Sequence, residues 1–221
     1  MIARLNFEGD PNVGAFGIST DRMVFTSPNM SPKSMDAIER IFNLPLIQST
    51  VATIDAVGLV TAANSSGILV PYTITDEEMQ TIREATDLPV EWIDSKITAL
   101  GNVILCNDKG ALCHPQFHDS TRKRMEDVLD VEVVAGKTAG LPIVGATTTA
   151  TNVGAVTHPL ATESEIQQIS EILKVHVEVA TVNRGSPYTS LGVVANSDGM
   201  ITGSDTTGVE LAHLSQVLGF V

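Results

Sequence analysis

The sequence predicts an α+β fold: five strand-strand-helix-strand units closing into a pseudo-fivefold propeller with the helices outside. Three observations predict it. A short turn-centred segment recurs as "STDRMVFTSP" from Ser19, "ANSSGILVP" from Ala63, "CNDKGALCHP" from Cys106, "ATNVGAVTHP" from Ala150 and "ANSDGMITG" from Ala195. The residues closing these segments, Pro28, Pro71, Pro115, Pro159 and Gly203, are spaced by 43, 44, 44 and 44 positions. The fifth copy runs out one strand early, while the chain begins with a strand-like "MIARLNF". A fixed period of this size marks a repeat architecture.

Each unit opens on an apolar segment such as "VGLVTAA", "NVILC" or "LGVVA", which reads as the first strand. A turn with Asn or Asp follows, at Asp21, Asn64, Asn107, Asn152 and Asn196, and Asn and Gly there suit the positive φ of tight hairpins. A return strand leads to the helix. Its start is signalled by Thr75 with Glu78, Thr162 with Glu165 and Thr207 with Glu210 as capping boxes, and by Ser31 ahead of Pro32. One apolar stripe per helix (Met35, Ile38, Ile41; Met79, Ile82; Met125, Val128, Leu129; Ile166, Ile169, Leu173; Leu211, Leu214, Leu218) gives each a single buried face.

After the helix, Leu44, Leu88, Val131 and Val175 keep the same step and introduce the alternating segments "LPLIQS", "LPVEWI", "VEVVAG" and "VHVEVA", a third strand. The expected units cover residues 10–55, 56–99, 100–140, 141–185 and 186–221 of a single domain, the last completed by a strand within 1–8. Pairing the two chain ends removes the exposed edges of an open array.

The formal charge of −13, from 13 basic and 26 acidic residues, disfavours sequence-independent binding to duplex DNA. No continuous apolar stretch suggests a signal peptide or membrane span, so a cytoplasmic protein is expected. Cys106 and Cys113 then read as reduced thiols, and the sequons at Asn29 and Asn64 carry no meaning.

In the order "ALGN", "CNDKGAL", "NRGS" and "DTTGVEL", and over essentially its whole length, the chain resembles the archaeal members of the translation initiation factor 6 family. That resemblance implies the pentein propeller and a non-enzymatic, monomeric factor without cofactor. Its implied partner is the large ribosomal subunit, chiefly a ribosomal protein near the sarcin-ricin loop with local rRNA contact, and binding there blocks the small subunit. Matching the turns to the family's binding turns points to Asn64, Ser65, Asn107, Asp108, Lys109 and Asn152 as contact positions. An acidic factor suits a basic ribosomal protein.

The rival reading is a pentein-fold guanidine-modifying hydrolase or transferase. Those enzymes carry their nucleophilic Cys near the C-terminus, and residues 114–221 contain none. Cys106 and Cys113 fall at strand positions that are apolar or small elsewhere, and His114 and His158 share a place ahead of the closing prolines. The set Cys106, Cys113, His114 and His118 lacks the short ligand pair of zinc sites, and "AGKTAG" lacks Walker spacing. Arg184 is expected to pair with Asp205, which alternatively assists the start of the last helix, and Trp92 to pack at a core or sheet edge.

Overall fold

The computed structural model describes residues 1–221 as a mixed α+β protein of five three-stranded sheets and nine helices. A strand β1 (Ile2–Arg4) precedes the first unit, which comprises α1 (Val13–Phe16), β2 (Gly17–Ser19), β3 (Val24–Thr26), α2 (Pro32–Phe42) and β4 (Leu46–Gln48). The second contains α3 (Val57–Val60), β5 (Ala62–Ala63), β6 (Ile68–Pro71), α4 (Asp76–Ala85) and β7 (Val90–Ile93). The third contains α5 (Leu100–Val103), β8 (Ile104–Cys106), β9 (Ala111–Cys113), α6 (Asp119–Leu129) and β10 (Val133–Ala135). The fourth contains α7 (Val144–Thr147), β11 (Thr148–Ala150), β12 (Gly154–Thr157), α8 (Glu163–Leu173) and β13 (His176–Val179). The fifth replaces the opening helix with a 3-10 turn (Thr189–Gly192), followed by β14 (Val193–Ala195), β15 (Met200–Thr202) and α9 (Gly208–Val217).

Within each sheet the hairpin pair is antiparallel and the strand after the helix returns parallel to the middle strand. In the fifth sheet that parallel partner is β1, with Ile2, Ala3 and Arg4 opposite Met200, Ile201 and Thr202. The segment continues inward to Phe7, which is fully buried in one cluster with Ile38, Ile41 and Ile201. The capping boxes form as the spacing predicts, and Ser31 caps α2 ahead of Pro32.

Three details of the sequence reading change. The segments taken as first strands begin instead as one helical turn, Val57–Val60 within "VGLVTAA", before extending. The register of two markers shifts by one residue. The strand pairings place Thr20, Asn64, Asn107, Thr151 and Asn196 at the first turn position, so Asp21 and Asn152 are counterparts of Ser65 and Asp108. They likewise place Pro71 beside Ser27, His114, His158 and Gly203 rather than beside Pro28, Pro115 and Pro159. Finally, the hairpin turns use no positive φ; the left-handed residues sit in the connections between units, at Glu8–Gly9, Ala52–Thr53, Ala139–Gly140 and Asn183–Gly185, and just after the long helices, at Asn43, Asp130, Lys174 and Gly219. The hairpin glycines have a different reason. A Cβ on Gly67 would meet the carbonyl of Val128, and one on Gly110 that of Ile172, each in the helix of the following unit.

The one-turn helices explain themselves by their neighbours. α1 packs on α3, α3 on α5, α5 on α7, α7 on the 3-10 turn, and that turn on α1. The approach is backbone to backbone: a Cβ at Gly58 would overlap the carbonyl oxygen of Gly14, and Gly101 and Gly145 stand likewise against the preceding glycine. A helical turn presents this one small residue to its neighbour while Val57 and Val60 face the core. Gly58→Ala should therefore destabilise by about 3 kcal/mol or more, because rigid backbone must move; thermal unfolding of the variant checks this.

Opposite the hairpin turns, the capping glutamates also tie one unit to the next. Glu78 accepts from Thr75 N of its own helix and from Thr50 Oγ1, Ala52 N and Thr53 N of the preceding connection. Glu165 takes Ala139 N and Gly140 N, and Glu210 takes Arg184 N, Gly185 N and Thr181 Oγ1. In the first unit the direction reverses, and Glu8 of the connection accepts from Ser31 N of the helix cap. Partial burial pushes the three capping carboxyls up, but these bonds outweigh it and hold them below the usual glutamate value. A depressed folded-state pKa gives stability that is present above the unfolded value and is lost as pH falls through the folded one. Acidification from pH 7 to below 4 should thus lower the Tm more in the parent than in a Glu78→Gln, Glu165→Gln, Glu210→Gln variant, as acid titrations monitored by circular dichroism would show.

Candidate functional site

The hairpin turns gather at one end, with the C-termini of the long helices. At the first turn position the side chain closes its own turn: Asn64 Oδ1 accepts from Ser66 N and Gly67 N, and Asn107 Oδ1 from Lys109 N and Gly110 N. The amide nitrogen points the other way. Asn64 Nδ2 donates to Asn107 O at 3.1 Å and to Leu129 O at 2.7 Å, and Asn107 Nδ2 to Thr151 O at 3.1 Å and Leu173 O at 3.0 Å. Leu129 and Leu173 end helices whose last carbonyls have no intrahelical partner. Each amide thus caps the following unit's helix and grips its turn. Asn196 Nδ2 grips the first unit's turn alone, donating to Thr20 O, and so joins the fifth unit to the first.

The second turn position forms the rim above. Asp108 accepts from Ser65 N at 2.7 Å and Ser65 Oγ at 2.8 Å, and Asp21 accepts from Ser197 N at 2.8 Å and Ser197 Oγ at 2.7 Å. Asn152 lies between the two carboxylates, its Nδ2 donating to Asp108 Oδ2 at 2.6 Å and to Asp21 Oδ2 at 2.8 Å, while its Oδ1 accepts from Asp108 N. Lys109 Nζ donates to Asn152 O at 2.8 Å, and Arg22 Nη1 to Ser65 O at 3.3 Å.

Of the sequence-selected positions, Asp108 and Lys109 are exposed and Ser65 and Asn152 half-buried on the rim. Asn64 and Asn107 lie beneath it, 2% and 5% exposed, with their amides spent. The turns also bring in Asp21, Arg22, Ser197 and Val153, the last 47% exposed. Their shared place in the repeat is the signal that selects them, once the register is corrected.

The other reactive side chains are structural. Burial, reinforced by the Asp108 charge, pushes the Cys106 thiol up to about 12, and burial takes Cys113 to about 11, so neither is a thiolate near neutrality. Cys106 Sγ donates to Ala63 O of the preceding unit. His114 Nδ1 accepts from Gln116 N and His158 Nδ1 from Leu160 N, the same strand-end turn twice. No ion pair joins Arg184 to Asp205: the Arg184 backbone N–H instead donates to Glu210, and Asp205 lies outside α9, whose cap is Thr207.

The chain is matched over residues 2–217 by the sequence profile of the eIF-6 family. It is 37% identical over 225 residues to translation initiation factor 6 of Pyrococcus abyssi, covering 100% of this chain and 99% of that protein. The same protein of Pyrococcus horikoshii is 37% identical, with the same coverage. That of Methanocaldococcus jannaschii is 36% identical over 227 residues, 100% of this chain and 99% of the relative.

Asn107→Ala should lower stability by about 2–3 kcal/mol, because it orphans two buried carbonyls and opens a turn. Ser65→Ala, which spares the Ser65 N–H bond to Asp108, should cost less than about 1 kcal/mol. Urea unfolding of both variants checks the contrast.

Proposed function

The chain belongs to the eIF-6 family of translation initiation factors rather than to an enzyme family, and we propose that it binds the large ribosomal subunit and keeps it from joining the small subunit prematurely, with a role in large-subunit maturation. The architecture behind this reading is a single-domain, closed pseudo-fivefold propeller of the pentein kind, acting as a monomer in the cytoplasm. The cycle of axial contacts and the pairing of β1 with β15 support the closure. The domain divides as the period does, into residues 10–55, 56–99, 100–140, 141–185 and 186–221 with a strand from 1–8.

The observation that carries the docking proposal is the rim. Ser65, Asp108, Lys109 and Asn152 supply its contact groups, and Asn64 and Asn107 hold the turns in place from below. Such a surface is preorganised, so little side-chain entropy is lost on docking. Its carboxylates and the chain's net charge of −13 favour a basic ribosomal protein over bare rRNA, and rRNA contact is confined to Arg22, Lys109 and neighbouring donors. Val153 adds an exposed apolar group.

In sucrose gradients the protein should sediment with isolated large subunits and not with small subunits or joined ribosomes; equal binding to joined ribosomes would overturn the proposal. Lys109→Glu removes the bond to Asn152 O and sets a like charge beside Asp108. It should weaken binding to large subunits roughly tenfold, about 1.4 kcal/mol, and unchanged affinity would remove Lys109 from the docking surface.

A further inference from the structure

The second unit departs from the repeat on its outer face. Where the strand pairings place Gln48, Ala135, Val179 and Arg4 in the other units, this unit has Trp92; where they place Pro28, Pro115, Pro159 and Ser204, it has Tyr72. Trp92 is opposite Val70 in the β6–β7 pairing and shares its face of the sheet, so its ring lies beside α4. Tyr72 follows β6 directly. The two aromatics, 50% and 39% exposed for Tyr72 and Trp92, border a groove of about 440 Å³ whose other lining includes Ile74, Met79, Asp76 and Asp94.

The charges in this groove are unequal in their freedom. Arg83 is engaged, donating to Val90 O at 2.8 Å and standing 3.8 Å from Glu91. Asp76 and Asp94 take part in none of the molecule's ion pairs. Trp92 already holds one guanidinium: Arg124 lies 5.0 Å from its ring centroid while pairing with Glu91 at 2.9 Å. Aromatic faces attract cations most strongly when solvent is displaced, and two free carboxylates add charge of the complementary sign.

We propose that the Tyr72–Trp92 groove is a docking site for an extended, basic segment of a protein partner, with an arginine or lysine side chain between the aromatic rings and the Asp76 and Asp94 carboxylates. Ile74 and Met79 offer an apolar surface to the stem of that side chain and to flanking proline, whose polyproline II conformation suits aromatic-lined grooves. The groove shares no residue with the rim.

Trp92 is the only tryptophan in the chain, so intrinsic tryptophan fluorescence reports this groove alone. Titrating the full chain with the capped peptide PPRPPRP should give a saturable change in that emission. The citrulline-substituted peptide should bind at least tenfold more weakly, as should the arginine peptide on an Asp76→Asn, Asp94→Asn variant with an unchanged Tm. Absence of a saturable change, equal affinity for the citrulline peptide, or unaltered affinity in the variant would overturn the proposal. So would tighter binding of oligouridylate at the same tryptophan, which would make the groove a nucleic-acid site.

Discussion

The architecture depends on how closely five short backbone segments approach one another. Where Gly58 meets Gly14 and Gly101 meets Gly58, the separation leaves no room for a side chain, and each unit is positioned by main-chain atoms of the one before it. Main-chain contacts do not change rotamer, so they set the spacing between units with little latitude. The outer layers then follow. The long helices bury one stripe each, the capping glutamates Glu78, Glu165 and Glu210 fasten three helix starts to the preceding connections, and Asn64 and Asn107 fasten the ends of α6 and α8.

This division of labour leaves the rim free for the docking proposed above. The first turn position is consumed by intramolecular bonds: every residue there closes a tight turn, and Asn64 and Asn107 also satisfy a helix-end carbonyl. The second position stands above it and differs from unit to unit: Asp21, Ser65, Asp108, Asn152 and Ser197. Asn152 reconciles the two carboxylates by donating an N–H hydrogen bond to each, which draws non-adjacent units together across the top. Repetition builds the platform, and its departures from repetition give each unit's turn a different chemistry. The same logic distinguishes Tyr72 and Trp92 on the outer face, where a position elsewhere occupied by proline or serine carries an aromatic ring.

Most of the fold was legible in the sequence because its signals are local. Capping boxes, apolar stripes and the alternation after each helix need only neighbouring residues, and all appear where the spacing puts them. What escaped was set by contacts between units. Nothing local marks Val57–Val60 as a helical turn; its reason is the glycine behind it. The turn glycines looked like providers of positive φ, whereas Gly67 and Gly110 are required by helix carbonyls more than sixty residues away in sequence. Asp21 and Asn152 stand one place beyond Asn64 and Asn107 because Thr20 and Thr151 close their turns with a hydroxyl, which the asparagine pattern does not mark. Of the six residues selected on the turns, the buried pair Asn64 and Asn107 could not be told from the four on the rim without the neighbouring unit.

The sealing of the proposed ring by the leading strand is most directly tested by native-state hydrogen exchange. Leu5 N and Met200 N bond to Thr202 O and Met1 O, as Ser49 N and Val24 N bond to Thr26 O and Pro45 O in the first unit. If the chain ends close the ring, the Leu5 and Met200 amides exchange only through global unfolding, with the same free energy as their counterparts Ser49 and Val24. Rapid exchange at Leu5 and Met200 alongside full protection at Ser49 and Val24 would show a frayed end and contradict the account.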